Sequence, residues 1–270
     1  MYQRISLESQ RVLLAAPRPT ADRCSAKLPT LRAEIRNSFV PAVSRVLNNY
    51  PIKIDDIFIG SILYMRVMPT KILGEWPIIY GFGGGFVTGS PFEDLTIAAP
   101  LASLIGAQVI TLHYRHAPEH PWTAAIDDGF EVYQALAEKH FALAGKSAGG
   151  NFTLSLMLRA KLCGVPLPGA VALLSPCYDL THSGYSLSDN DGRDPTITTE
   201  HIRVAAIHYA GEHSPSHPTI SPINGPFDET FPSCMITTGT RELLMSQAIT
   251  LNKVMRENDV NTNLKVWHER

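Results

Sequence analysis

Apolar and polar residues recur along this chain with a spacing that changes from segment to segment, and the spacing marks the elements. Ile52–Ile59 and Ser61–Met68 carry strand-like spacing on either side of Gly60, which predicts two antiparallel strands in a tight hairpin. Pro77–Tyr80 is wholly apolar and runs into glycines, the profile of a central strand covered on both faces. Helical spacing follows, with Leu95, Ala98, Ala102 and Ile105 on one face. Gln108–Leu112 reads as a strand. Ile126, Phe130, Tyr133 and Ala137 define a helix whose first turn carries Asp127 and Asp128, where the helix dipole favours carboxylates. Phe141–Ala144 is a short strand leading into Gly145, and a helix follows it. The strand Ala170–Leu174, an irregular stretch, the strand Met235–Thr238, a further helix and the strand Asn263–Trp267 complete the order.

Strands alternating with helices in this way predict an α/β fold, a mostly parallel sheet with helices on both faces. Functional groups are then expected at the carboxyl ends of the strands. Two segments break the rhythm. Residues 1–50 are polar and interrupted by Pro17, Pro19, Pro29 and Pro41, with helical spacing only in Leu31, Ile35 and Phe39. Residues 181–222 are rich in Ser, His, Asp, Gly and Pro, with one helical stretch near Glu200–Tyr209. Both are expected to lie over the strand ends as a cap on a single domain of residues 1–270.

Composition narrows the chemistry. Hydrophobic residues make up 44% of the 270 positions, enough for a large core. The 23 basic and 25 acidic residues leave a formal charge of -2, with no concentrated basic face for nucleic acid. Cys24, Cys163, Cys177 and Cys234 form no CxxC pair and no metal-ligand spacing, so neither structural zinc nor a disulfide framework is expected. The apolar run Val12 to Ala16 is too short for a signal peptide, and no later run approaches a membrane span. The chain reads as cytoplasmic.

Two motifs carry chemistry. Gly145-Lys146-Ser147-Ala148-Gly149 matches G-x-S-x-G between an apolar strand and an apolar helix. In that context the serine occupies a sharp strand-to-helix turn, the flanking glycines avoid clashes, and the helix N-terminus favours developing negative charge. Earlier, Gly81-Phe82-Gly83-Gly84-Gly85-Phe86 follows the buried strand and leaves backbone N–H groups unshielded, as an oxyanion hole requires.

Together these segments resemble the H-G-G-G and G-D-S-A-G-G signatures of the hormone-sensitive-lipase-like esterases. Tyr114-Arg115-His116-Ala117-Pro118-Glu119-His120-Pro121 with Ala124-Ala125-Ile126-Asp127-Asp128 is similar to that family's Y-R-x-A-P-E-x-P…A-A-x-D-D. Leu174-Ser175-Pro176 with Asp179-Leu180, Gly192-Arg193-Asp194-Pro195, and Thr238-Gly239-Thr240-Arg241-Glu242-Leu243-Leu244 also match. The resemblance implies an α/β-hydrolase with a helical cap and a Ser–Asp/Glu–His triad in that chain order. It implies Ser147 as nucleophile, Glu242 as the orienting acid, and the N–H groups of Gly84, Gly85 and Ala148 as the oxyanion hole. The implied substrate is a small or short-chain acyl ester, with no cofactor and no metal.

The sequence departs from that pattern at three places. Phe82 stands where the family has a histidine, and a changed pocket wall is expected there. Lys146 reverses the charge of the acidic residue before the nucleophile, which should alter the field beside Ser147. The family's catalytic histidine aligns about two positions beyond Arg270. That leaves His268 as a weak candidate base and predicts a weak hydrolase. Two alternatives follow: a non-catalytic small-molecule-binding protein on this scaffold, as in the plant gibberellin receptors, or a truncated, inactive hydrolase.

Overall fold

The computed structural model describes residues 27–268, so the part of the expected cap within residues 1–26 lies outside the described residues. Eight strands form one sheet in the order β1-β2-β4-β3-β5-β6-β7-β8. They span β1 Ile52–Ile59, β2 Ile62–Pro69, β3 Ile78–Gly81, β4 Val109–Leu112, β5 Ala142–Lys146, β6 Ala170–Leu174, β7 Cys234–Gly239 and β8 Thr262–Trp267. β1 and β2 form the antiparallel hairpin around Gly60, and β2 also runs antiparallel to β4. Every pairing from β4 through β3 to β8 is parallel. The central strands β3 and β4 are buried at every position, as their unbroken apolar runs require.

The helices are α1 Leu28–Asn49, α2 Leu95–Ile105, α3 Ala124–Leu136, α4 Ala148–Leu162, the short α5 Ser186–Asp189, α6 Thr199–Ala210 and α7 Met245–Glu257. α4 is buried along most of its length, and its tight packing begins at the first turn. A Cβ on Gly149 would lie 1.9 Å from the Gly81 carbonyl oxygen, so only glycine lets this helix start against the end of β3.

Two local expectations are corrected. Pro29 and Pro41 do not break the N-terminal segment: α1 runs continuously for 22 residues. Pro29 sits in the first turn, where a missing N–H costs nothing, and Pro41 is carried inside the helix. α1 docks through buried Leu28 and Val43, and through Arg32, which donates to the carbonyls of Val87 and Ala117 at 2.8 and 3.0 Å. Asp128 was expected in the first turn of α3, but that turn carries Asp127 alone. The buried Asp128 carboxylate receives the Arg115 guanidinium, with the shortest contact at 2.7 Å, and the Arg115 backbone N–H at 2.9 Å.

Candidate active site

The register of the sheet brings the two chemical motifs together. β3 and β5 are parallel neighbours with Gly81 opposite Gly145, so the glycine loop and the serine turn leave the same edge side by side. The ends of β6, β7 and β8 lie on that edge too, delivering Ser175, Glu242 and His268.

Ser147 has φ 54° and ψ -119°, a conformation that a non-glycine residue adopts at a cost of roughly 1–3 kcal/mol. Its surroundings hold it there. The Ser147 N–H donates to the Leu174 carbonyl at 3.0 Å, and the Ser147 carbonyl accepts from Cys177 N–H at 3.0 Å and Gly150 N–H at 2.9 Å. Across the gap, Gly84 adopts φ +126°, and a Cβ there would fall 2.0 Å from the Thr88 carbonyl oxygen. The Gly84 carbonyl accepts from Val87 N–H, Thr88 N–H and the Thr88 hydroxyl at 3.0–3.2 Å. That turn commits the carbonyl to the loop. The N–H groups of Gly84 and Gly85 donate to no described residue.

Gly84, Gly85, Ser147 and Ala148 line one cavity of about 90 Å³. The remaining wall is mostly apolar: Phe86, Cys177, Leu180 and Leu244 from the sheet edge, and Ile197, Ile202, Ala205 and Ala206 from the segment around α6. Burial pushes the Cys177 thiol up to about 12, so it contributes a neutral surface.

Glu242 stands outside that wall. Its carboxylate accepts from Gly239 N–H at 2.8 Å and from the Thr238 hydroxyl at 3.0 Å, both in its own turn. Burial raises its pKa, while hydrogen bonds from Ser175, Thr238 and Gly239 pull the other way. The 181–222 segment anchors this turn. Asn190 Nδ2 donates to the Glu242 carbonyl at 2.9 Å, and Asp194 accepts from Leu243 N–H at 3.0 Å. His268 follows β8 on the same sheet edge but is exposed and forms no part of the cavity wall.

Phe82 does not alter the pocket wall as expected. It is buried beneath the loop, stacked on Tyr114 with ring centroids 4.1 Å apart, and is absent from the cavity lining. His201, which the sequence motifs do not single out, also belongs to the site. It is buried, lines the cavity, and its Nδ1 accepts from Thr198 N–H at 3.2 Å while His201 N–H donates to the Thr198 hydroxyl at 3.2 Å. This is a capping box with histidine in the usual Glu/Gln position, so the spacing Thr-x-x-His ahead of an apolar helix was the available signal. Asp94, buried next to Lys146, carried no signal at all.

Among the described residues, no group of three or more His, Cys, Asp or Glu side chains could hold a metal ion, and no helix is long and apolar enough to cross a membrane.

A family with the alpha/beta hydrolase fold matches residues 78–270. An acetyl-hydrolase of Streptomyces hygroscopicus is 30% identical over 220 residues, covering 80% of this chain and 73% of that protein. An esterase of Acinetobacter venetianus is 32% identical over 196 residues, covering 70% of this chain but only 64% of its own length. Among solved structures, an esterase from the bacterial hormone-sensitive lipase family superposes with a TM-score of 0.83 at 25% identity, over 100% of this chain and 90% of that one. A hormone-sensitive lipase from a metagenome library gives 0.86 at 27% identity, over 99% and 90% of the two chains. Likeness that extends across the sheet, the serine turn and the segment above it settles the kinship: the chain belongs to the hormone-sensitive-lipase-like carboxylesterase family of α/β-hydrolases.

Proposed function

We propose that this protein hydrolyses esters of small carboxylic acids through an acyl intermediate on Ser147. The observation that carries the reading is the cavity that Ser147 shares with Gly84 and Gly85, whose N–H groups donate to no described residue. Ser147 Oγ attacks the carbonyl carbon and gives its proton to a base. The amides of Gly84, Gly85 and Ala148 hold the oxyanion as the bond to the alcohol breaks and the proton returns to the departing oxygen. Water then repeats the sequence on the acyl-serine and frees the acid. The small, mostly apolar cavity supports a short acyl chain, and the part of residues 181–222 that lines it acts as the cap that keeps bulk water away.

Proton transfer is the weak step in this reading. On this reading Glu242 is the orienting acid and His268 only a weak substitute for the base, since His268 is exposed. The oxyanion hole and binding alone retain on the order of 10³–10⁴-fold acceleration over water. We therefore expect slow turnover of activated esters such as p-nitrophenyl acetate. Ser147→Ala should abolish it, and a fluorophosphonate should label Ser147 in the unaltered protein. Hydrolysis that survives Ser147→Ala would refute the mechanism.

The exposure of His268, which forms no part of the cavity wall, favours a second reading, a capped ligand-binding protein without turnover. Saturable binding of a short-chain carboxylate with neither p-nitrophenol release nor fluorophosphonate labelling would select it.

A further inference from the structure

The residue before the nucleophile enters a buried polar junction that joins the two halves of the site. Asp94, at the start of α2, has a carboxylate side chain only 4% exposed. Its Oδ1 receives the Lys146 ammonium at 2.6 Å. Its Oδ2 accepts from the Tyr80 hydroxyl at 2.9 Å and from Gly83 N–H at 3.2 Å. Burial and the neighbouring carboxylate hold the Tyr80 pKa well above its ordinary value, so that hydroxyl stays a donor. The Lys146 stem lies against the same loop: a Cβ on Gly83 would meet Lys146 Cε at 2.6 Å, and Ser147 Cβ at 3.4 Å. One carboxylate thus ties the end of β3, the glycine loop, α2 and the serine turn together.

We propose that Lys146 is a positioning residue, and that its ion pair with Asp94 clamps the glycine loop against the serine turn so that the Gly84 and Gly85 amides face the cavity beside Ser147. The catalytic consequence rests on the esterase reading above; the clamp itself does not.

The physical case follows from the burial of Asp94. A desolvated carboxylate with two neutral donors is poorly compensated, and the ammonium supplies the missing charge. Remove the ammonium and the buried carboxylate loses the cation that its Oδ1 receives. An Asp94 side chain that turns towards other donors releases Gly83 N–H, and the loop loses its tether one residue before the oxyanion donors. Lys146→Asp would place a second carboxylate beside the first. In this chain the acidic residue typical of the family should therefore be the damaging one.

The test compares Lys146→Met, Lys146→Arg, Asp94→Asn and the double variant Lys146→Met/Asp94→Asn in the full chain. Removing an oxyanion-hole donor outright typically costs about 10²–10³-fold in kcat, so a displaced loop should cost Lys146→Met roughly 10- to 100-fold, with KM nearly unchanged. Affinity for a boronic acid, whose tetrahedral adduct needs the same amides, should fall by a similar factor. Lys146→Arg should recover most of the rate, and Lys146→Met should cost little more once Asp94→Asn is already present. Hydrogen exchange of residues 82–85 should accelerate in Lys146→Met and return towards the unaltered rate in Lys146→Arg. Exchange reads the clamp whether or not the protein turns over, so an inactive protein would overturn the esterase reading without deciding this one. Unchanged exchange in Lys146→Met would overturn the clamp. If Lys146→Met does not fold, Lys146→Arg and Asp94→Asn decide: Asp94→Asn with slow exchange at 82–85 and full boronate affinity would also overturn it.

Discussion

Phe82 lies flat on Tyr114, the ring centroids 4.1 Å apart and the planes 3° from parallel, while the Tyr114 hydroxyl donates to the Phe82 carbonyl at 3.0 Å. Side chain and backbone of the residue that opens the glycine loop are therefore fixed by a single tyrosine. Phe82→Ala would leave a void under the loop and should cost about 3–5 kcal/mol of stability. Because Phe82 is not part of the cavity wall, KM for a short ester should move less than kcat. Chemical denaturation alongside steady-state kinetics checks both parts. A large KM increase at unchanged stability would show that the ring contacts substrate after all.

Gly84 tests the loop from the other side. With φ +126° and only 2.0 Å between a would-be Cβ and the Thr88 carbonyl oxygen, no side chain fits without moving backbone. Gly84→Ala should reduce kcat by about 10²-fold or more, the loss expected when an oxyanion donor is misplaced. Fluorophosphonate labelling of Ser147 should slow in proportion. Labelling at the unaltered rate would separate this loop from the reacting serine.

The parts of the site that were legible in the sequence are those written in consecutive residues. Wholly apolar runs marked β3 and β4, because a strand covered on both faces has no polar position to spare. The serine turn was legible because its sterics demand glycine around Ser147. What escaped depends on distance in the chain. Lys146 was visible as a misplaced charge, yet its partner Asp94 lies 52 residues away and becomes a partner only when β3, α2 and β5 converge. Phe82 looked like pocket lining because the loop faces the cavity, but its side chain turns beneath onto Tyr114. The continuity of α1 through Pro41 was hidden for another reason: packing of Leu28 and Val43 and the Arg32 contacts offset a lost backbone bond that propensity alone counts as a break.

His116 should give the fold an acid limit. Its ring stands edge-on to Phe82 and Tyr114, at 5.8 and 5.7 Å between centroids. Burial holds its pKa down at about 4, the Arg32 cation reinforces this, and Glu119 opposes it. The unfolded chain titrates near ~6.5 and so takes up a proton that the folded protein refuses. The associated stability is fully present above that pH and is lost as the pH falls through about 4. The difference amounts to on the order of 3 kcal/mol. Tm measured between these limits should decline in the unaltered protein and decline less in His116→Phe. Parallel curves would remove His116 from the account.

Acyl length should be set by α6. Ile202 lines the cavity of about 90 Å³ that Ser147 also lines, alongside Ala205 and Ala206, and is itself buried. A pocket discriminates one methylene by about 1–3 kcal/mol, so the space released by Ile202→Ala should raise kcat/KM for p-nitrophenyl hexanoate relative to acetate by roughly tenfold or more. Truncating a buried isoleucine also costs about 2–5 kcal/mol, so the comparison belongs well below the variant's own Tm. Ala206→Leu should act in the opposite sense, filling the cavity and favouring acetate. A ratio of the two esters that stays fixed in both variants would mean that the acyl chain lies elsewhere, and the wall built by α6 would then face the departing alcohol.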